Sequence, residues 1–140
     1  MIAYDLDGVF VPNLDFERGV QKSLLMFRRF YMFPIFIPEG PYYMITGRPV
    51  SDRMDTKFWI EFMMHDNKPV KLFHDNQKLE NVITYKAKIL NENKEITMFV
   101  ESEREQCKSL VPLVRNDCMI VCFKDIILDK LKNIEIEFNC

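Results

Sequence analysis

Glycine is scarce in this chain, 4 residues in 140, against 12 phenylalanines and 9 methionines. Low-complexity tracts, internal repeats and linker-like stretches are missing as well. A fibrous or disordered chain is thereby excluded, and residues 1–140 are read as one domain. Histidine occurs only at His65 and His74, without ligand spacing, so a histidine-based metal centre is not expected. Four cysteines, Cys107, Cys118, Cys122 and Cys140, come late and fit no zinc or redox pattern; reduced, mostly buried thiols are expected. Neither sign of charge dominates. With 19 basic and 21 acidic residues, a net charge of -2 and a pI near 5.7, nothing draws the chain as a whole to nucleic acid or anionic lipid. A local basic pocket could still bind phosphate. No apolar run is long enough to span a bilayer, and no signal-peptide pattern precedes Asp5. These absences set the expectation of a soluble, cytoplasmic protein without a membrane partner.

What is present is a large apolar fraction, 48% hydrophobic and 13% aromatic, with 29% charged residues. That is enough to build one well-buried core at this length. Residues 2–6 form a short apolar run closed by Gly8, the pattern of a buried parallel strand. Residues 16–31 carry Val20, Leu24, Phe27 and Tyr31 at helical spacing. Pro34, Pro38 and Pro41 then impose a loop. Strands are expected at 42–45, 70–73, 96–100 and 119–123. Helices are expected at about 52–64, capped by Ser51 with Met54, Phe58 and Phe62 on one face, at 84–93, and from 103 to about Pro112. The tail reads as helix over 125–132 and an edge strand over 134–138. Strands alternating with helices predict an α/β domain, a three-layer α/β/α Rossmann-like arrangement around a mostly parallel sheet of five to six strands.

In open parallel sheets ligands bind beyond the carboxyl ends of the strands. The polar residues there are Asp5, Asp7 and Gly8 after the first strand, Thr46, Gly47 and Arg48 after the second, and Glu101, Ser102 and Glu103 after the fourth. Lys86 and Lys88 stand near the start of the intervening helix, facing the same edge. Aspartates two apart on a strand point to one side. Like charges about 4 Å apart repel by roughly 4 kcal/mol at an effective dielectric near 20. Such a cluster calls for a hard divalent cation with oxygen ligands, magnesium, and a lysine to offset the remaining charge. Gly8 allows close backbone approach to whatever binds.

The run Asp5-Leu6-Asp7-Gly8-Val9 resembles the first motif of haloacid dehalogenase-like (HAD) hydrolases. Ile45-Thr46-Gly47-Arg48-Pro49 is similar to the second, Lys86-Ala87 before Leu90 to the third, and Phe99-Val100-Glu101-Ser102 to a degenerate fourth. The motifs occur in the family's order over residues 2 to about 123. The resemblance implies a magnesium-dependent phosphohydrolase, a phosphomonoesterase. In that scheme Asp5 is the nucleophile that forms an aspartyl-phosphate. Asp7 is the general acid and base, and its backbone carbonyl also binds the metal. Thr46 and Gly47 bind the phosphoryl group, Lys86 offsets charge, and Glu101 completes the metal site with Asp5 and Asp7. Arg48 can meet substrate or serve structure.

The family usually has aspartates where this chain has Glu101, Ser102 and Glu103, so Glu103 is an alternative to Glu101 as ligand. That departure also leaves open a second reading, a HAD-fold module that binds phosphate, metal or a protein partner without turnover. The stretches between motifs are used up by core elements, so no separate cap domain is expected. Capless members of the family tend to act on large phosphorylated substrates, which keeps macromolecular and nucleotide substrates open. Trp59 and the remaining Phe and Met residues are expected in the core.

Overall fold

The computed structural model describes residues 1–11, 33–76 and 81–128. Five short strands form one all-parallel sheet: β1 (Ile2–Asp5), β2 (Tyr42–Ile45), β3 (Lys71–Phe73), β4 (Met98–Glu101) and β5 (Met119–Cys122). Their spatial order is β3-β2-β1-β4-β5. Helices α1 (Arg53–Met63), α2 (Val82–Glu92) and α3 (Arg104–Leu110) follow β2, β3 and β4 respectively, and residues 123–128 are helical after β5. The α/β class and the five central strands agree with the sequence reading. The helix expected at 16–31, most of the one at 125–132 and the strand at 134–138 lie outside the described residues.

Side-chain alternation along the strands separates two cores. Ala3, Tyr43, Ile45 and Phe99 face one side with Tyr85, Ile89 and Leu90 of α2 and Leu110 of α3. Tyr42, Met44 and Val100 face the other with Trp59 and Ile60 of α1 and with Phe123. The chain direction explains the partition. Right-handed crossovers that step outward in opposite directions from the centre of a sheet leave their helices on opposite faces. The β2–α1–β3 step runs one way, and β3–α2–β4 and β4–α3–β5 run the other.

Two helix details differ from the sequence reading. A 3-10 turn at Val50–Asp52 precedes α1, and Asp52, not Ser51, occupies its N-cap position. Met54, Phe58 and Phe62 do share a face, but it is the solvent face: they are 75%, 54% and 66% exposed, with the Phe58 and Phe62 rings stacked at 5.9 Å. The buried side of α1 is Thr56, Trp59 and Ile60.

Helix α2 is the best defined at both ends. The Asn81 side chain accepts from the Ile83 amide at 2.9 Å, and Asn93 Nδ2 donates to the Ile89 carbonyl at 2.8 Å. These bonds satisfy groups that a helix terminus leaves open. No helix among the described residues is long and apolar enough to cross a membrane.

Candidate active site

Strand β1 leads to β2 on one side, while β4 pairs with β1 on the other and leads outward to β5. The connections therefore diverge between β1 and β4, and the carboxyl ends of strands at such a point are where open parallel sheets bind ligands. Asp5 and Glu101 are the last residues of those two strands. Both are buried, at 5% and 0% exposure, as is Lys86 at 2%.

Lys86 is a charged residue on an apolar stripe. It lies three residues after Ile83 and four before Leu90, so the phase of α2 turns it inward. Its ammonium nitrogen sits 3.2 Å from Asp5 Oδ1 and 2.8 Å from Glu101 Oε2, with Gln106 Oε1 at 3.4 Å. Lys88, on the other side of the helix, is exposed.

Ser102 joins the two acids from below. Its hydroxyl lies 3.1 Å from both Asp5 Oδ2 and Glu101 Oε1, and its single hydrogen can serve one of them at a time. The Leu6 amide donates to Asp5 Oδ1 and the Ser102 amide to Glu101 Oε1, each at 2.9 Å. Glu103, the alternative ligand, is partly exposed and lies 3.5 Å from Lys124.

These surroundings divide the two acids electrostatically. Burial raises the Asp5 carboxyl well above its ordinary range; the Lys86 charge opposes this and the Glu101 charge adds to it. Burial also works against ionised Glu101, but the Lys86 ammonium and hydrogen bonds from Asp5, Lys86 and the Ser102 amide bring it below its ordinary value. Lys86 loses charge stability to burial and regains more from the two acids, so its value is raised. The arrangement is one ammonium held between two buried acids, with Asp5 the harder of the two to ionise.

Asp7 takes a different partner. The strand ends at Asp5, and the chain wraps so that the Val9 and Phe10 amides reach the Leu6 carbonyl at 3.3 and 3.0 Å. Gly8, at a φ of 87°, makes the turn and donates to the Val11 carbonyl at 2.7 Å. Asp7 thus lies past the strand, which removes the basis for expecting both aspartates on one side of it. Its carboxylate is gripped by Arg48 through two bonds, Nε to Oδ2 at 2.8 Å and Nη2 to Oδ1 at 2.6 Å. The Arg48 side chain is only 7% exposed. Its Nη1 donates to Thr56 Oγ1 at 3.1 Å, and Thr56 Oγ1 in turn lies 3.1 Å from His74 Nε2.

Thr46 is buried, and its hydroxyl oxygen accepts from the Arg48 amide at 3.2 Å. Gly47 is pressed against the first turn of α2. A Cβ there would lie 2.4 Å and 3.0 Å from the two Val82 methyl carbons. Valine has little χ1 freedom in a helix, so the helix itself must move. Gly47→Ala is expected to destabilise the fold by about 1–3 kcal/mol in thermal melts and to draw Lys86 off the two acids. Adding Val82→Ala should recover most of the loss. A Gly47→Ala melt equal to wild type would contradict the packing described.

Sequence reasoning marked Asp5, Asp7, Thr46, Gly47, Arg48, Lys86 and Glu101. Asp5, Lys86 and Glu101 meet directly, and Asp7, Arg48 and Thr46 form the adjoining group. Ser102, Thr56, His74 and Gln106 were not marked as site residues. Ser102 stood within the fourth motif and carried a signal; Thr56 and His74 had none beyond a polar residue on a buried face. Among the described residues no group of three or more His, Cys, Asp or Glu side chains gathers to hold a metal, and the Asp7 carboxylate is turned to Arg48. Compared with protein-family models, curated proteins and solved structures, the chain matches none of them.

Proposed function

We propose that the chain is a magnesium-dependent phosphohydrolase working through an aspartyl-phosphate on Asp5. The observation that carries the reading is the meeting of Asp5, Lys86 and Glu101 at the β1–β4 divergence, with Thr46 at the end of the neighbouring strand. Two buried carboxylates held against one ammonium leave a surplus of acidic oxygen, a setting that suits a divalent cation. Magnesium usually binds proteins through one or two carboxylates, completing its shell with water and substrate phosphate. Asp5 and Glu101 would be those carboxylates, with the Ser102 hydroxyl beside them; in the scheme that the resemblance implies, the Asp7 backbone carbonyl would join them. The cation would draw charge off the transferring phosphoryl oxygens.

The protein residues divide the remaining work. An Asp5 oxygen attacks phosphorus, and the bond from phosphorus to the leaving oxygen breaks. Asp7 gives that oxygen a proton. Asp7 then takes a proton from water as the water attacks the aspartyl-phosphate, and release of phosphate restores the Asp5 carboxylate. The Thr46 hydroxyl and Gly47 amide hold the phosphoryl oxygens, while Lys86 offsets the charge that builds between phosphate and Asp5. Purified protein is expected to hydrolyse para-nitrophenyl phosphate with magnesium and to stop on chelation.

A second reading, binding without turnover, is favoured by one feature. Both Asp7 oxygens accept from Arg48, so the group cast as general acid and base is already engaged by a cation. Magnesium binding without hydrolysis of any member of a broad phosphate panel would decide for a binding module.

A further inference from the structure

Arg48 poses a question that the phosphohydrolase reading does not answer. A guanidinium buried beside a single carboxylate can satisfy its charge in several orientations, and a long side chain has the rotamer freedom to use them. Here the third branch is tied down. Arg48 Nη1 donates to Thr56 Oγ1, and Thr56 Oγ1 contacts His74 Nε2, both at 3.1 Å. Thr56 Oγ1 accepts from Arg48, and the direction of its contact with His74 Nε2 is set by the imidazole tautomer. Thr56 is 0% and His74 1% exposed. Burial, with the nearby Arg48 charge, holds the imidazole below its ordinary value.

Three elements supply this chain of contacts. Arg48 comes from the loop after β2, Thr56 from α1 and His74 from the end of β3. A valine and an apolar ring would fill the same space without needing partners. The polar pair has one visible consequence, which is to fix the azimuth of the Arg48 plane. The other two branches of that plane meet Asp7 at 2.8 and 2.6 Å.

We infer that Thr56 and His74 are positioning residues for the acid–base step, a latch that holds Arg48 and, through it, sets the direction of the Asp7 carboxyl group. The inference rests on the phosphohydrolase reading for its catalytic part. Its structural part stands independently and is measured independently. Asp7 acts on the leaving oxygen, so an ill-aimed Asp7 costs most where the leaving group needs a proton. An alkyl phosphate needs one; para-nitrophenolate departs without it.

Thr56→Val removes the hydroxyl at nearly constant shape, and Thr56→Ser keeps it. In Thr56→Val, kcat for an alkyl phosphate is expected to fall roughly tenfold with KM little changed, and kcat for para-nitrophenyl phosphate less than about threefold. Thr56→Ser and His74→Gln, which each retain a polar atom near the original position, should restore most of the alkyl rate. Equal losses on both substrates would mean general loosening and overturn the positioning role.

Nitrogen-15 NMR of the guanidinium reads the latch without any turnover. Wild-type Arg48 should show separate, slowly exchanging Nη signals, merged in Thr56→Val and separate again in Thr56→Ser. Unchanged signals in Thr56→Val would overturn the latch. A wild-type protein that shows the restrained guanidinium yet hydrolyses no phosphate would keep the latch and sink the phosphohydrolase reading.

Discussion

Asp5→Asn is expected to abolish turnover while leaving the protein as stable as wild type or more so. The amide matches the carboxyl in shape but is a far weaker nucleophile. Loss of a covalent-catalysis residue commonly lowers kcat by about 10⁴-fold or more. The stability effect runs the other way because wild-type Asp5 is buried against Glu101, and its carboxyl is raised well above the ordinary range by burial. A carboxyl raised on folding favours the folded state while it is protonated. That contribution is present below the unfolded value and is lost as pH rises through the folded one. In metal-free buffer the advantage of Asp5→Asn over wild type should therefore grow with rising pH. Melts across pH and a para-nitrophenyl phosphate assay measure both halves. Residual activity within tenfold of wild type would remove Asp5 from the role of nucleophile.

Lys86→Met carries the largest expected stability effect. The change keeps much of the apolar stem and deletes the ammonium that lies between Asp5 and Glu101 at 3.2 and 2.8 Å. Removing one member of a buried ionic cluster leaves uncompensated charge and typically costs about 3–5 kcal/mol. Proton uptake by the orphaned acids returns part of it. A fall in Tm of roughly 10 °C is expected for a domain of this size. Adding Glu101→Gln should recover more than half, since the lost partner is then no longer needed. Magnesium should raise the Tm of Lys86→Met more than that of wild type, because two acids without their lysine have more to gain from a cation. A Tm within about 2 °C of wild type would show that the cluster is more solvated than its burial implies.

The sheet was legible because each of its strands is a short apolar run placed between helical patterns, as at 42–45 and 119–122. Asp5 and Glu101 could be marked because each ends a strand, and Lys86 because it stands near the start of the intervening helix in the Lys-Ala step that the resemblance picks out. The sequence also carried the stripe of α1, but not which side of it faces inward. Met54, Phe58 and Phe62 are as apolar as Trp59, Ile60 and Met63, and periodicity has no means to choose between two apolar faces. Asp7 was misdirected for a local reason. Residue spacing on a strand says nothing once the strand stops, and β1 stops at Asp5, ahead of the left-handed turn at Gly8. The Arg48–Thr56–His74 contacts were out of reach for another. They join residues from three elements, and only packing brings those elements together.

The central position of β1 also bears on how the chain folds. The strand precedes the other described strands in the chain, yet it pairs with residues 42–45 on one side and 98–100 on the other, and the Asp5–Ser102 contact closes a sequence separation of 97 residues. Loop-closure entropy must be met before such pairings stabilise anything, and folds dominated by them form slowly. As the ribosome releases the chain, β1 has one unpaired edge until β4 emerges, with the Asp5 carboxyl lacking both Lys86 and Ser102. The candidate site is thus one of the last parts to assemble, and a truncation before residue 98 removes β4 and leaves the central strand β1 with an unpaired edge.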